Sequence, residues 1–263
     1  MTDTNAYGLS RHIPADKRLA IRKNCGFGCV ICGASIIDYE HVDPEFKDSK
    51  EHEPSKMALL CGRCHPYVTR KWWSKDRVKA ALASPKCKEL GFSWGDFDFG
   101  ERHPDFRLGG LRLINCPVPL RVIDTDVIRL KEPEQQSAPF RLSATFADST
   151  GKVAFRITDN EWQAYSGAWD MEFTAGRINI NESYGEQCLI LKAEPPNGIA
   201  VEKLNMLVER TGTKIQVENE KITLFGYWGG PLTIMNANLN GAPVGLNLSP
   251  NGLSLGGNAK RHD

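Results

Sequence analysis

The sequence predicts an α+β fold: a small zinc-stapled module of hairpin and helices, followed by a mainly-β domain. Three observations predict it. Two Cys-x-x-Cys turns, Cys29-Val-Ile-Cys32 and Cys61-Gly-Arg-Cys64, stand with 28 residues between them. Helix signals gather in the first 90 residues. Beyond residue 106, short strand-like runs recur between Gly- and Pro-containing turns. The expected division is a module at residues 1–90, a linker at 91–106 and a β domain at 107–263.

The chain has 263 residues, of which 25% are charged and 41% hydrophobic. That composition excludes a wholly disordered chain, a collagen-like repeat and a coiled coil. No apolar run approaches the roughly 18 to 20 residues of a membrane span, so no membrane partner is expected. The N-terminal stretch lacks the apolar core of a secretory signal, and a cytoplasmic setting is the expectation. The net charge of +1 hides a split. Residues 1–90 hold sixteen Lys and Arg against eleven Asp and Glu, and the remaining residues hold seventeen against twenty-one. Within the module, residues 38–53 carry seven acids, and residues 61–90 carry eight Lys and Arg. An acidic stretch beside a basic one suits a cation and a phosphate as partners, or two solvated faces of opposite sign.

The elements follow in order. Residues 36–42 form a strand rich in β-branched and aromatic residues, stopped by Pro44. After the acidic loop, residues 57–60 form a second, apolar strand. A helix begins at His65-Pro66, because proline is tolerated in a first turn. Ser74 caps another helix that runs to about Ala83 and is stopped by Pro85. Residues 91–106 mix Gly, Pro, acids and aromatics, which fits no regular element and reads as a linker that packs down. The β domain begins near residues 111–114. Its clearest feature is a hairpin of residues 140–146 and 152–157 around the turn residues Asp148, Ser149, Thr150 and Gly151. Further strands are expected at 177–180, 188–192, 214–217, 221–225 and 232–235, while 199–210 fits a helix or a strand. Regular short strands suggest a β-sandwich, with a β-solenoid as the alternative suggested by the Asn-, Leu- and Gly-rich ending.

Cys29, Cys32, Cys61 and Cys64 make a Cys₄ set for structural zinc, because each turn delivers two thiolates to one ion. In a reducing compartment zinc is favoured over disulfides. Cys25 is a spare thiol that could compete. Cys87, Cys116 and Cys188 have no partner spacing and read as small buried hydrophobes.

The order Cys-x-x-Cys, Glu40-His41-Val-Asp-Pro44, apolar strand, Cys-x-x-Cys and His65 resembles the HNH endonuclease superfamily. The likeness covers roughly residues 10–85, includes the lead-in helix, and does not extend past residue 105. It implies the ββα-metal fold, in which a hairpin and a helix grip one divalent cation, here Mg²⁺ or Mn²⁺. It also implies that His41 is the general base, that Glu40 and His65 are ligands of the catalytic cation, and that nucleic acid, DNA ahead of RNA, is the substrate. His52 is a further candidate ligand. Arg63, Arg70, Lys71 and Lys75 are candidate phosphate contacts. Trp72 and Trp73 are candidates for base stacking or for core packing, one on each side of a helix.

The chain departs from the family where Lys56 replaces the usual Asn that braces the hairpin, with Ser55 and His52 as nearby polar substitutes. Successive strand residues face opposite ways, so Glu40 and His41 cannot both aim at one ion along a regular strand. The β domain carries no catalytic constellation and is expected to serve recognition, sensing or self-association. The pairing suits bacterial defence or restriction systems by association. The rival reading is a zinc-ribbon adaptor that binds nucleic acid or protein without cutting.

Overall fold

The computed structural model describes residues 4–226, 228–250 and 252–257. It is α+β and mainly β, with no closed barrel among the described residues. Among the described residues no helix is long and apolar enough to cross a membrane. The chain divides into two compact units, Met1–Gly95 with Gln163–Met171, and Asp96–Trp162 with Glu172–Asp263. The N-terminal unit therefore includes a short segment from the middle of the β region, which no boundary read from local sequence would assign to it.

In the N-terminal unit, α1 spans Ala15–Cys25. Asp16 lies in its first turn and Arg22 and Lys23 in its last, each on the favourable end of the helix dipole. Gly26, at φ 74°, ends it in the left-handed conformation. Strands β1 (Ile37–His41) and β2 (Met57–Cys61) pair antiparallel from Ile37↔Cys61 to His41↔Met57. All five residues of β2 are buried, and with Ile13, Ile21, Val30, Val42, Val68 and Val78 they form the unit's core. Burial of such aliphatic side chains contributes about 1.5–3 kcal/mol each. Helices α2 (Cys64–Thr69), α3 (Lys75–Ala83) and α4 (Lys86–Leu90) follow. Ser74 caps α3 by accepting a hydrogen bond from the Arg77 N–H at 3.3 Å.

The stretch expected to be an irregular linker contains a strand instead: β3, Phe92–Asp96. Its register explains this. Trp94 exchanges backbone hydrogen bonds with Gly33 and Ser35, and its indole N–H donates to the Cys32 carbonyl at 2.9 Å. Tertiary pairing thus organises residues whose local composition is turn-like.

In the C-terminal unit the strands are β4 (Asp105–Leu108), β5 (Leu111–Ile114), β6 (Val118–Val122), β7 (Thr125–Lys131), β8 (Arg141–Ala147) and β9 (Val153–Thr158). They continue with β10 (Glu161–Tyr165) and β11 (Asp170–Thr174), whose residues 163–165 and 170–171 are counted with the N-terminal unit, then β12 (Arg177–Ser183), β13 (Glu186–Glu194), β14 (Gly198–Val208) and β15 (Thr213–Glu218). The last are β16 (Lys221–Phe225), β17 (Leu232–Met235), β18 (Ala237–Asn240), β19 (Val244–Ser249) and β20 (Gly252–Leu255). One sheet runs in the order β20, β19, β6, β7, β8, β9, β10, and the other β11 to β17 in sequence. Most neighbours are antiparallel. Parallel pairs join β19 to β6, β14 to β4 and β18 to β5.

The segment that fitted a helix or a strand, 199–210, lies almost wholly in β14, where it pairs with β13, β15 and β4. In the Asn- and Leu-rich ending that suggested stacked solenoid coils, β18 and β19 pair parallel with β5 and β6, and β19 and β20 form an antiparallel hairpin, Leu246↔Leu255 to Ser249↔Gly252. Alternation is visible in β8, where Leu142, Ala144 and Phe146 are buried between half-exposed neighbours. Cys116 and Cys188 are buried in this unit, and burial pushes their thiols up to about 11 and about 12.

Candidate functional site

Two clusters of chemically capable side chains occupy the N-terminal unit. The first is the thiol set. The ligand atoms of Cys29, Cys32, Cys61 and Cys64 all lie within 4.8 Å of one another, so they could hold a metal ion of the zinc type. Cys32 Sγ and Cys61 Sγ are 3.5 Å apart. A tetrahedron with Zn–S bonds of about 2.3 Å has S···S edges of roughly 3.8 Å, so the set needs little adjustment.

Local backbone explains how the turns form. The Cys29 N–H donates to Ala34 O at 2.8 Å, the Gly33 N–H to Cys29 O at 2.8 Å, and the Val30 N–H to Leu59 O at 3.0 Å. Gly33 adopts φ 88°, which a side chain would strain, and a Cβ there would lie 3.2 Å from the Trp94 ring. The thiols do not share protons evenly. The Cys29 thiol is held down to about 5, chiefly by the hydrogen bond from Cys32 with help from backbone N–H groups. Cys32 is pushed up by giving that bond and by burial, and Cys64 is pushed up to about 12 by burial and by Cys29. Cys25, the last residue of α1, lies outside the set, buried in the core, its thiol raised to about 12 by burial. Cys87 is also buried, and its thiol is raised to about 12 in the same way.

The second cluster lies where β1, α2 and α3 meet. His65 Nε2 is 3.0 Å from Glu40 Oε2, and His65 Nδ1 is 3.4 Å from Asp38 Oδ2. Asp38 and Glu40 are two residues apart on β1 and share one face of the strand. His41 faces the other way. Its Nε2 is 3.1 Å from His52 Nδ1, and its ring packs against Phe46 at 5.3 Å. The strand thus separates the two roles the resemblance implies: Glu40 goes to His65, and His41 to His52. His52 stands with His41 and is not among the groups around Glu40 and His65. It is 6% exposed, and its Nε2 has no hydrogen-bond partner among the described residues. Of the two substitutes for the missing Asn, only His52 reaches His41. Ser55 donates to Glu53 at 2.8 Å, and Lys56 pairs with Glu53 at 2.6 Å near the surface. Burial, followed by His52, lowers His41 to about 4, so its imidazole is neutral at pH 7.

A cleft of about 970 Å³ is lined among others by Glu40, His41, His65, Lys71, Trp72 and Lys75, but not by Asp38 or His52. Arg11 and Lys47 add further positive charge to its wall. Lys71 adopts φ 61° after α2, its N–H bonded to Val68 O at 3.0 Å, and this turn brings the Trp73 N–H to Tyr67 O at 3.0 Å. Trp73 consequently stacks on Tyr67 at 4.7 Å with the Arg77 guanidinium 3.9 Å above it, packed against the core. Trp72 is left 78% exposed on the cleft. Arg63 and Arg70 are exposed but do not line the cleft. Lys75 does not stand free for a phosphate: its ammonium pairs with Glu40 Oε1 and donates to His41 O at 2.9 Å.

Three participants escaped the sequence reading. Asp38 carried a usable signal, its two-residue offset from Glu40. Lys75 as the partner of Glu40 carried none. Nor did Asp170, 148 residues from Arg22, which forms a two-pronged ion pair with it at 2.8 and 2.7 Å. Arg22 also donates to the Tyr39 hydroxyl at 3.0 Å, which ties α1 and the returning segment to β1 beside Glu40.

Compared with protein-family models, with curated proteins and with solved structures, the chain matches none.

Proposed function

We propose that the N-terminal unit is a metal-dependent endonuclease of the HNH type, hydrolysing phosphodiester bonds of nucleic acid, DNA ahead of RNA. The observation that carries this is the convergence of Glu40 and His65 at 3.0 Å on one face of β1, with neutral His41 next along the strand. The likeness to the ββα-metal fold rests on the same order of hairpin, zinc turns and helix.

Glu40 and His65 would hold Mg²⁺ or Mn²⁺. Two protein ligands suit such an ion, which keeps several waters and is held by one or two carboxylates. When bound, it supplies charge stabilisation at the phosphate and the leaving oxygen. His41 accepts the proton of the attacking water, for which its imidazole is unprotonated at pH 7. His52 orients that ring by its bond to Nε2, which leaves Nδ1 for the water. Lys71, Arg11 and Lys47 neutralise substrate phosphates along the cleft, with Arg63 and Arg70 outside it. The Cys₄ set holds structural zinc and staples the hairpin to α2. The two sheets of the C-terminal unit, taken as layers of a sandwich, serve recognition, sensing or self-association. A bacterial defence or restriction role fits the pairing.

One observation favours the rival reading. Lys75 already neutralises Glu40, as expected of a zinc-stapled adaptor that binds without cutting. A nicking assay on supercoiled plasmid with Mg²⁺, with Mn²⁺ or with chelator separates the two. The endonuclease reading expects metal-dependent nicking that His41→Ala abolishes. Equal inertness of wild type and variant with every metal and with single-stranded, duplex and RNA substrates favours the adaptor.

A further inference from the structure

We infer that Lys75 sets how tightly the cleft takes a divalent cation, by holding the Glu40 carboxylate with its own ammonium until the cation displaces it. The inference rests on the endonuclease reading for the identity of the ion's ligands.

Glu40 divides its two oxygens. Oε2 faces His65 Nε2 at 3.0 Å, and Oε1 is taken by Lys75 Nζ. Any ion shared by Glu40 and His65 therefore lies one carboxylate away from a fixed positive charge. The contact differs from the other lysine pairs of the unit. Lys56 with Glu53, Lys79 with Asp43 and Lys86 with Glu89 are half-exposed and weak. The side chains of Lys75 and Glu40 are only 25% and 18% exposed.

The placement of Lys75 is also built into the backbone. It is the first residue of α3, directly after the Ser74 cap, and its ammonium is anchored a second time by the His41 carbonyl at 2.9 Å. Arg77, two residues on, covers the Trp73 ring at 3.9 Å. The cap and this stack fix the start of α3 locally, and the two Lys75 contacts themselves join it to β1. The lysine contact is thus a product of the fold and not of a freely rotating surface chain.

The physical consequence has a definite sign. An ammonium and a divalent ion competing for one carboxylate in a partly covered site repel strongly. Removing the ammonium raises divalent affinity, and replacing it by another cation does not. The lysine side chain lines the cleft, so once released from Glu40 it remains available to an incoming phosphate. The arrangement makes cation binding and substrate binding mutually supportive, since each draws one partner from the same ion pair.

The test is a Mn²⁺ titration of the full-length zinc-loaded chain, following free Mn²⁺ by electron paramagnetic resonance. Wild type is compared with Lys75→Met, Lys75→Gln, Lys75→Arg and Glu40→Gln. Zinc content and circular dichroism show that each variant is folded, and Lys75→Gln substitutes should the methionine variant misfold. Lys75→Met is expected to bind Mn²⁺ at least about tenfold more tightly than wild type. Lys75→Arg is expected to stay within about twofold of wild type, because it keeps the charge. Glu40→Gln is expected to lose the site. A Mn²⁺ site that depends on Glu40 but binds no more tightly in Lys75→Met and Lys75→Gln overturns the role of Lys75 and leaves the endonuclease reading standing. The absence of any Glu40-dependent Mn²⁺ binding, in wild type and lysine variants alike, overturns both.

Discussion

The two clusters of the N-terminal unit are built by opposite strategies. The thiol set draws four ligands of one kind from two turns, each closed by its own backbone hydrogen bonds. The second cluster draws different groups from β1, from the start of α2, from the start of α3 and from the loop that carries His52. A closed set of identical soft ligands belongs to a structural ion. Mixed oxygen and nitrogen groups on an open wall are, on the proposed endonuclease reading, the place for a divalent ion and a substrate. The difference teaches that stability and chemistry can be separated by mutation even though both clusters hang on the same hairpin.

The largest expected effect lies on the thiol side. Cys61→Ser should cost the unit its fold, because structural zinc contributes about 10–16 kcal/mol of apparent binding energy in small zinc domains. Zinc content near zero together with lost secondary structure checks it. One zinc per chain with unchanged stability sinks the Cys₄ assignment. Next comes the Arg22–Asp170 pair, whose side chains are only 8% and 9% exposed. Asp170→Ala takes the carboxylate from a buried guanidinium and should destabilise by about 3–5 kcal/mol in urea unfolding. A fragment ending at residue 95 removes the same partner and should unfold at correspondingly lower urea.

On the cleft side the effects are smaller in stability and larger in binding or rate. Trp72→Ala should weaken binding of single-stranded DNA by about 1–3 kcal/mol if one base stacks on the ring, with little change in folding. Trp73→Ala should instead lower stability, through loss of the stack on Tyr67. Fluorescence anisotropy and thermal melts distinguish the two. The smallest effect concerns pH. His41 titrates near 6.5 when unfolded and near 4 when folded, so between these values the unfolded chain binds more protons. Its contribution is complete above pH 6.5 and is lost as pH falls towards 4. It is worth on the order of 1 kcal/mol once the half-exposed ring is discounted for solvent screening. His41→Gln should flatten that part of the stability profile. An unchanged slope would remove His41 as its source.

How much of this was legible in the sequence depends on the range of the interaction. The two Cys-x-x-Cys turns, the hairpin between them and the Ser74 cap are set by residues close in sequence, and they form where those residues stand. Strands β5, β16 and β17 begin and end where alternation and turn residues place them. Strand β3 was not legible, since its aromatic and acidic residues become a strand only by pairing with Gly33 and Ser35. Strand period leaves a choice between a bulge and opposite facing of Glu40 and His41, which the unbroken β1–β2 register decides for opposite facing, and Asp38 could have been found by the same period. Asp170 and the return of Gln163–Met171 to the N-terminal unit depend on tertiary packing across some 148 positions, which no local pattern encodes.

The most direct measurement is the nicking of supercoiled plasmid by the zinc-loaded full-length chain in Mn²⁺, alongside His41→Ala at matched zinc content. The endonuclease account predicts nicking by the wild type that chelator stops and that His41→Ala lowers at least a hundredfold, within the range of about 10²–10⁴ for loss of a general base. Nicking at equal rates by both proteins, or cleavage that survives chelator, would contradict it.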